Sequence, residues 1–129
     1  MEKTEFTAEA LPMLDAEDAL SVANAIADVL DSKKGHEVRV LHVEAKTSIA
    51  DYFVLCTGNS GTQVKALAGE VEFKLEQREV SPDNVEGRGN NTWIVVDYGN
   101  VVVHIFSREA RDFYNLDKLY GDAPVVREF

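Results

Sequence analysis

Leu20, Ala23, Ile26, Ala27 and Leu30 recur at the three-to-four-residue spacing of one helical face. Asp15 stands where an N-cap belongs, and Lys33-Lys34-Gly35 ends the segment, so a first helix is predicted over 16–32. Val38, Val40 and Leu41 to Val43 then read as a strand, followed by a polar turn over 45–48. Tyr52 to Thr57 is a short apolar run rich in β-formers, the mark of a buried strand. Gly58-Asn59-Ser60-Gly61 closes it, with Ser60 as the N-cap of a second helix. Val64, Leu67, Ala68, Val71 and Leu75 form the stripe of that helix. Ser81 to Asn84 is a turn, Asn84 to Glu86 a short edge strand, and Gly87 to Asn91 a flexible loop. Trp93–Tyr98 and Val101–Phe106 are β-rich runs on either side of Gly99-Asn100, a hairpin signal. A last helix is predicted from Arg108 to near Gly121, with Phe113, Leu116, Leu119 and Tyr120 as its apolar positions.

Residues 1–14 show no clean period and contain Pro12, so they read as a flexible acidic tail; residues 125–129 read as a C-terminal tail. Between them, 15–124 is expected to form a single α/β domain. The order α-β-β-α-β-β-β-α implies a mixed sheet of about five strands with helices packed on it. A chain of 129 residues can bury a sufficient core without a disulfide or metal.

The hairpin allows the register to be counted. With a two-residue loop, Tyr98 faces Val101, Val96 faces Val103 and Ile94 faces Ile105, an almost wholly apolar side. The other side pairs Asp97 with Val102, Val95 with His104 and Trp93 with Phe106. Two readings of this mixed side are open. If a helix covers it, Trp93 is a core residue and His104 a satisfied polar group. If not, Trp93 offers rigid contact area and Asp97 a carboxylate for a partner's Lys or Arg.

Charge narrows the choice of partner. Thirteen basic against 23 acidic residues give a net charge of −10, a field that repels phosphate backbones and favours a basic protein partner. Residues 1–37 hold nine acidic and three basic residues, either a solvated acidic face or a barrier that keeps this end away from RNA. The single cysteine, Cys56, fits a reducing compartment. The start of the chain lacks the pattern of a signal or transit peptide, and no apolar run approaches a membrane span, so a cytoplasmic location is expected.

Catalytic and metal signatures are weak. His36, His42 and His104 are scattered, with no zinc-ligand spacing. Cys56 lies inside an apolar run, as a buried core residue does, rather than beside an activating base. The turn Thr57-Gly58-Asn59-Ser60 between strand and helix offers backbone amides for a phosphate, but it is neither a Walker loop nor a G-x-G-x-x-G pattern, and such turns commonly serve only to start a helix. Nucleotidyl transfer would need clustered carboxylates for Mg²⁺. Asp51, Glu86 and Asp97 are candidates, yet none forms an Asp-x-Asp pair.

Three ordered blocks resemble the ribosomal silencing factor family, also called the Iojap family. They are Asp51–Ser60 with Gln63-Val64-Lys65-Ala66, then Glu86-Gly87 with Trp93–Phe106, then Arg111 with Phe113–Leu116 and Leu119-Tyr120. The resemblance spans roughly 16–124. Asn100 stands where Asp is usual, and Tyr120 where Trp is usual. The resemblance implies a nucleotidyltransferase-like α/β fold without catalytic carboxylates, no cofactor and no enzymatic turnover. It implies binding to ribosomal protein fourteen of the large subunit, steric block of subunit joining, and a homodimer in isolation. The partner surface is expected on Glu86, Trp93, Asp97, Tyr98 and Gly99, with a second patch on Asp51, Thr57, Asn59 and Ser60. The alternatives are a nucleotidyl-transfer-type enzyme using the Thr57–Ser60 turn, and a purely structural homodimer.

Overall fold

The computed structural model describes residues 12–129. Six strands form one sheet: β1 (His36–His42), β2 (Tyr52–Gly58), β3 (Asn84–Glu86), β4 (Trp93–Asp97), β5 (Val101–Ser107) and β6 (Val125–Glu128). Their order across the sheet is β3-β4-β5-β2-β1-β6. Only β2 and β5 pair in parallel; every other neighbour is antiparallel. The helices are α1 (Ala19–Ser32), α2 (Gly61–Gln77), α3 (Arg108–Tyr114) and the single turn α4 (Leu116–Leu119).

Side-chain alternation divides the core in two. On one face, α1 and α2 bury Val22, Ile26, Leu30, Val64, Leu67, Val71 and Leu75 against Val54, Cys56, Ile94, Val96, Val103 and Ile105. On the other, Leu41, Phe53, Leu55, Val102 and Phe106 pack beneath Ala110 and Ala123, with Trp93, Leu116 and Tyr120 at the margin. Strand β2 is central and covered on both sides, which explains its unbroken apolar run.

Four expectations are corrected. The first helix is capped by Asp18, whose Oδ1 accepts from Ser21 N at 3.2 Å, not by Asp15. Asp15 instead closes a turn ahead of it, accepting from Asp18 N and Glu17 N. The tail expected over 1–14 lies mostly outside the described residues, but 12–14 are tied down: Leu14 N donates to Arg78 O, and Arg78 Nε to Pro12 O. The last helix breaks at Asn115, which takes the left-handed conformation (φ 50°) and whose side chain then caps α4. Asn is one of the few side chains that tolerates that region. Finally, residues 125–128 are a sixth strand rather than a tail, paired along β1. Its placement is reinforced by Arg39–Glu128 and Arg127–Asp28 ion pairs, both distant in sequence and so without a local signal.

Arg111 fixes α3 and α4 to the sheet. Its guanidinium is buried and donates to Thr57 Oγ1 on β2 (3.0 Å), Glu37 O on β1 (3.1 Å) and both oxygens of Asp117 on α4 (2.6 and 2.9 Å). Arg39 Nη1 reaches the same carboxylate at 2.7 Å. Burial alone would raise the Asp117 pKa, but hydrogen bonds from Arg111 and Arg39 outweigh it and hold the carboxyl below its ordinary value. Its contribution to stability is therefore present above the usual carboxylate range and lost as pH falls through the lowered value. Removing one partner of such a network is expected to cost about 3 kcal/mol or more. Arg111→Ala should lower the urea unfolding free energy by that amount, and Arg111→Lys should recover only part of it because the planar fork is lost.

Candidate partner-binding surface

The hairpin register matches the count made from the sequence. Trp93 lies opposite Phe106, Ile94 opposite Ile105, Val95 opposite His104, Val96 opposite Val103 and Asp97 opposite Val102. The loop closes through Tyr98 N donating to Val101 O at 2.8 Å. Gly99 has φ +88°, a conformation that L side chains rarely adopt. Asp97 Oδ1 accepts from Gly99 N at 2.8 Å, so this carboxylate shapes the turn as well as facing solvent. Gly87 is stricter. A Cβ there would sit 2.0 Å from Trp93 O, so only glycine lets β3 close onto the start of β4.

Register also sets which candidate residues share a face. Glu86 lies opposite Val95 and Asn84 opposite Asp97. Glu86, Trp93, Val95 and Asp97 therefore lie on one side of the sheet. Glu86 is exposed; Trp93, Val95 and Asp97 are half-buried. Tyr98 falls on the opposite side, packed against the α1–α2 core. Its phenol is pushed up by burial, with Glu72 adding to the shift, and its hydroxyl has no hydrogen-bond partner among the described residues. Four of the five expected partner residues thus cluster along the hairpin and its edge, while Tyr98 supports it from behind.

The mixed side is covered in part, and His104 is not the fully satisfied polar group expected there, since its buried Nε2 has no hydrogen-bond partner among the described residues. His104 is buried, and Phe106 fully so, beneath the α3–α4 segment. Trp93 is the boundary residue. Its Nε1–H donates to His104 Nδ1 at 3.1 Å, and its ring lies 5.2 Å from Phe106 and 4.4 Å from Tyr114. The bond fixes the His104 tautomer: Nδ1 accepts, so the neutral ring carries its proton on Nε2. Among the described residues, the rings facing His104 are Trp93, Phe53 and Phe106. Burial lowers its pKa to about 4.

The second expected patch does not assemble. Thr57 is fully buried, its hydroxyl held by Arg111. Asp51 precedes β2 while Asn59 and Ser60 follow it, a separation of roughly 20 Å along a seven-residue strand. Two amides around the start of α2 are also engaged: Asn59 N donates to Gln63 Oε1 at 2.5 Å and Gln63 N to Ser60 Oγ at 3.1 Å. Cys56 sits in the core with its thiol pushed up to about 12 by burial, which leaves almost no thiolate.

Sequence reasoning missed two features. Phe113, placed in the apolar stripe of the last helix, is 80% exposed. Tyr114 beside it stands 49% exposed and carries the aromatic contact onward from Trp93. Two adjacent aromatics on a seven-residue helix cannot both face the sheet, and that was the available signal.

Because the folded pKa of His104 lies below the value of about 6.5 in an unfolded chain, the unfolded state binds the extra proton. Stability should fall as pH drops from about 6.5 towards 4, by at most about 1.4 kcal/mol per pH unit. Urea titrations at pH 7, 6 and 5 should show that slope in the parent and a shallower one in His104→Phe.

Comparison with known proteins accounts for these blocks together. The sequence model of the family described as "Ribosomal silencing factor during starvation" matches residues 16–129. The ribosomal silencing factor RsfS of Bacillus subtilis is 38% identical over 106 residues, covering 82% of this chain and 90% of that protein. The chloroplastic protein Iojap of Zea mays is 32% identical, covering 89% of this chain and 51% of its own. A crystal structure of a Chromobacterium violaceum protein superposes with a TM-score of 0.78 at 33% identity, covering 81% of this chain and 87% of that one. A Bacillus halodurans structure gives 0.69 at 32%, covering 86% and 98%. The chain belongs to the ribosomal silencing factor family.

Proposed function

We propose that this chain is a non-catalytic silencing factor that binds ribosomal protein fourteen of the large ribosomal subunit and sterically blocks docking of the small one, repressing translation. Family membership supports the ribosome-silencing role. The observation that carries the reading to a surface is the partly open side of β3 and β4, where Glu86 and Asp97 flank Val95 and Trp93. An apolar centre with acidic margins suits a basic partner. The net charge of −10 favours such a partner over RNA and speeds encounter at low salt. In isolation the chain forms a homodimer, and it works in the cytoplasm.

The nucleotidyl-transfer alternative draws no support from the Thr57–Ser60 turn. The Thr57 hydroxyl is committed to Arg111, and Asn59 N, Gln63 N and the Ser60 hydroxyl to the α2 cap. A purely structural homodimer would not associate with ribosomes at all.

Co-sedimentation with purified bacterial large subunits tests the reading. The parent should pellet with them, more strongly at low salt than at moderate salt. Glu86→Lys, an exposed change, should weaken binding roughly tenfold while the thermal midpoint stays within a few degrees. Parent-like binding by Glu86→Lys and Trp93→Phe together would remove this face from the interface. Failure of the parent to bind at either salt would overturn the reading.

A further inference from the structure

Helix α3 leaves an aromatic step on the surface. Phe113 is 80% exposed and Tyr114 49%. The two rings meet edge to face at 5.0 Å, and Tyr114 lies 4.4 Å from Trp93. The three rings therefore form a continuous ridge running from the β4 edge onto α3. Nothing in the fold requires Phe113 to be apolar, since it belongs to neither core cluster. A single exposed apolar side chain is ordinary, but a contiguous aromatic group is not. The backbone beneath the ridge is held firmly. Arg111, two residues before Phe113, is locked to β1, β2 and α4, and Asn115 ends the helix directly after Tyr114. A rigid aromatic group loses little entropy on docking.

The rim indicates what docks. Glu109 and Asp112 are exposed on the same short helix, and among the described residues neither has an ionic partner. The basic residues of α3 are already committed, Arg108 to Glu37 at 2.6 Å and Arg111 to Asp117. Among the described residues, the charge on α3 that has no ion-pair partner is therefore acidic, with Asp112 on the side that faces Arg108. Bases could stack on the rings, but phosphates would be repelled by these carboxylates and by the overall charge.

We infer that the Trp93–Tyr114–Phe113 ridge, with Glu109 and Asp112 on its flank, is a docking surface for a basic protein face. Phe113 is the anchor that enters an apolar pocket of the partner, and the two carboxylates receive its Lys or Arg side chains. The inference deepens the silencing reading and rests on it: it extends the binding face from the β3–β4 edge onto α3, so that one partner touches both.

The test compares the full chain with Phe113→Ala and Glu109→Lys/Asp112→Lys, in co-sedimentation with purified bacterial large subunits and in sedimentation of the protein alone. Both changes are exposed, so thermal midpoints should match the parent. Each variant is expected to lose at least tenfold in affinity for the large subunit, with the charge-reversed pair also losing much of its salt dependence. Parent binding with unchanged Phe113→Ala binding would overturn the ridge as a docking surface and leave the silencing reading standing. Absence of binding by the parent would overturn both. If Phe113→Ala instead converts a dimer to a monomer while ribosome binding stays intact, the ridge serves a second copy of this chain, and the inference fails. Equal Phe113-dependent binding to protein-free ribosomal RNA would likewise overturn a basic protein as occupant.

Discussion

A buried guanidinium holds the α3–α4 side of this molecule together. Arg111 is taken out of water, and a charge so placed must find partners or unfold its surroundings. It finds them on three elements at once: the hydroxyl of Thr57 on β2, the carbonyl of Glu37 on β1 and the carboxylate of Asp117 on α4. Arg39 shares that carboxylate and also reaches Glu128 on the edge strand β6. The second core is thin, with two short helices where the opposite face has two long ones. Apolar burial alone gives those short helices little purchase, and the ionic clasp sets their position. Phe106, His104 and Trp93 are then roofed by a segment whose placement is fixed by charge rather than by helix length.

That clasp decides how the mixed side of the hairpin divides. Where α3 and α4 lie over β5 and β2, His104 and Phe106 become core residues. Beyond the reach of α3, β4 and the three-residue β3 keep their outer side partly open. Trp93 stands on the line between the two, its indole N–H spent on His104 and its ring shared with Tyr114. Trp93 is thus half-buried, with its orientation set by these contacts.

The hairpin was the most legible part of the sequence. A two-residue Gly-Asn loop and strict alternation leave one register, and that register is observed. The second helix was equally readable, since its stripe and its Ser60 cap are local signals. Legibility failed where the cause was remote. The sixth strand has no pattern of its own; it exists because β1 offers an edge and because Arg39, Asp28 and Asn24 hold Glu128 and Arg127. The helix break at Asn115 follows from one left-handed residue inside an otherwise helical pattern. The candidate site was half legible. Counting the hairpin register put Trp93 and Asp97 on one side. Glu86 joined the expected partner surface only through the resemblance, and it is the β3–β4 pairing that sets it beside them, whereas the burial of Thr57 depended on an arginine 54 residues away. Exposure of Phe113 was hidden because a helical stripe was extended through a segment that breaks.

These constraints give a small acidic body whose hairpin side is partly open and partly apolar, the surface on which the proposed occlusion rests. Light scattering during subunit joining tests that account most directly. Large subunits are mixed with a stoichiometric excess of the protein, small subunits are added, and the rise in scattering is followed. Occlusion predicts that the rise is suppressed in proportion to the large subunits occupied, and that it returns when binding is weakened by salt. An undiminished rise with the protein still bound to the large subunit would contradict occlusion and leave a factor that rides on the ribosome without silencing it.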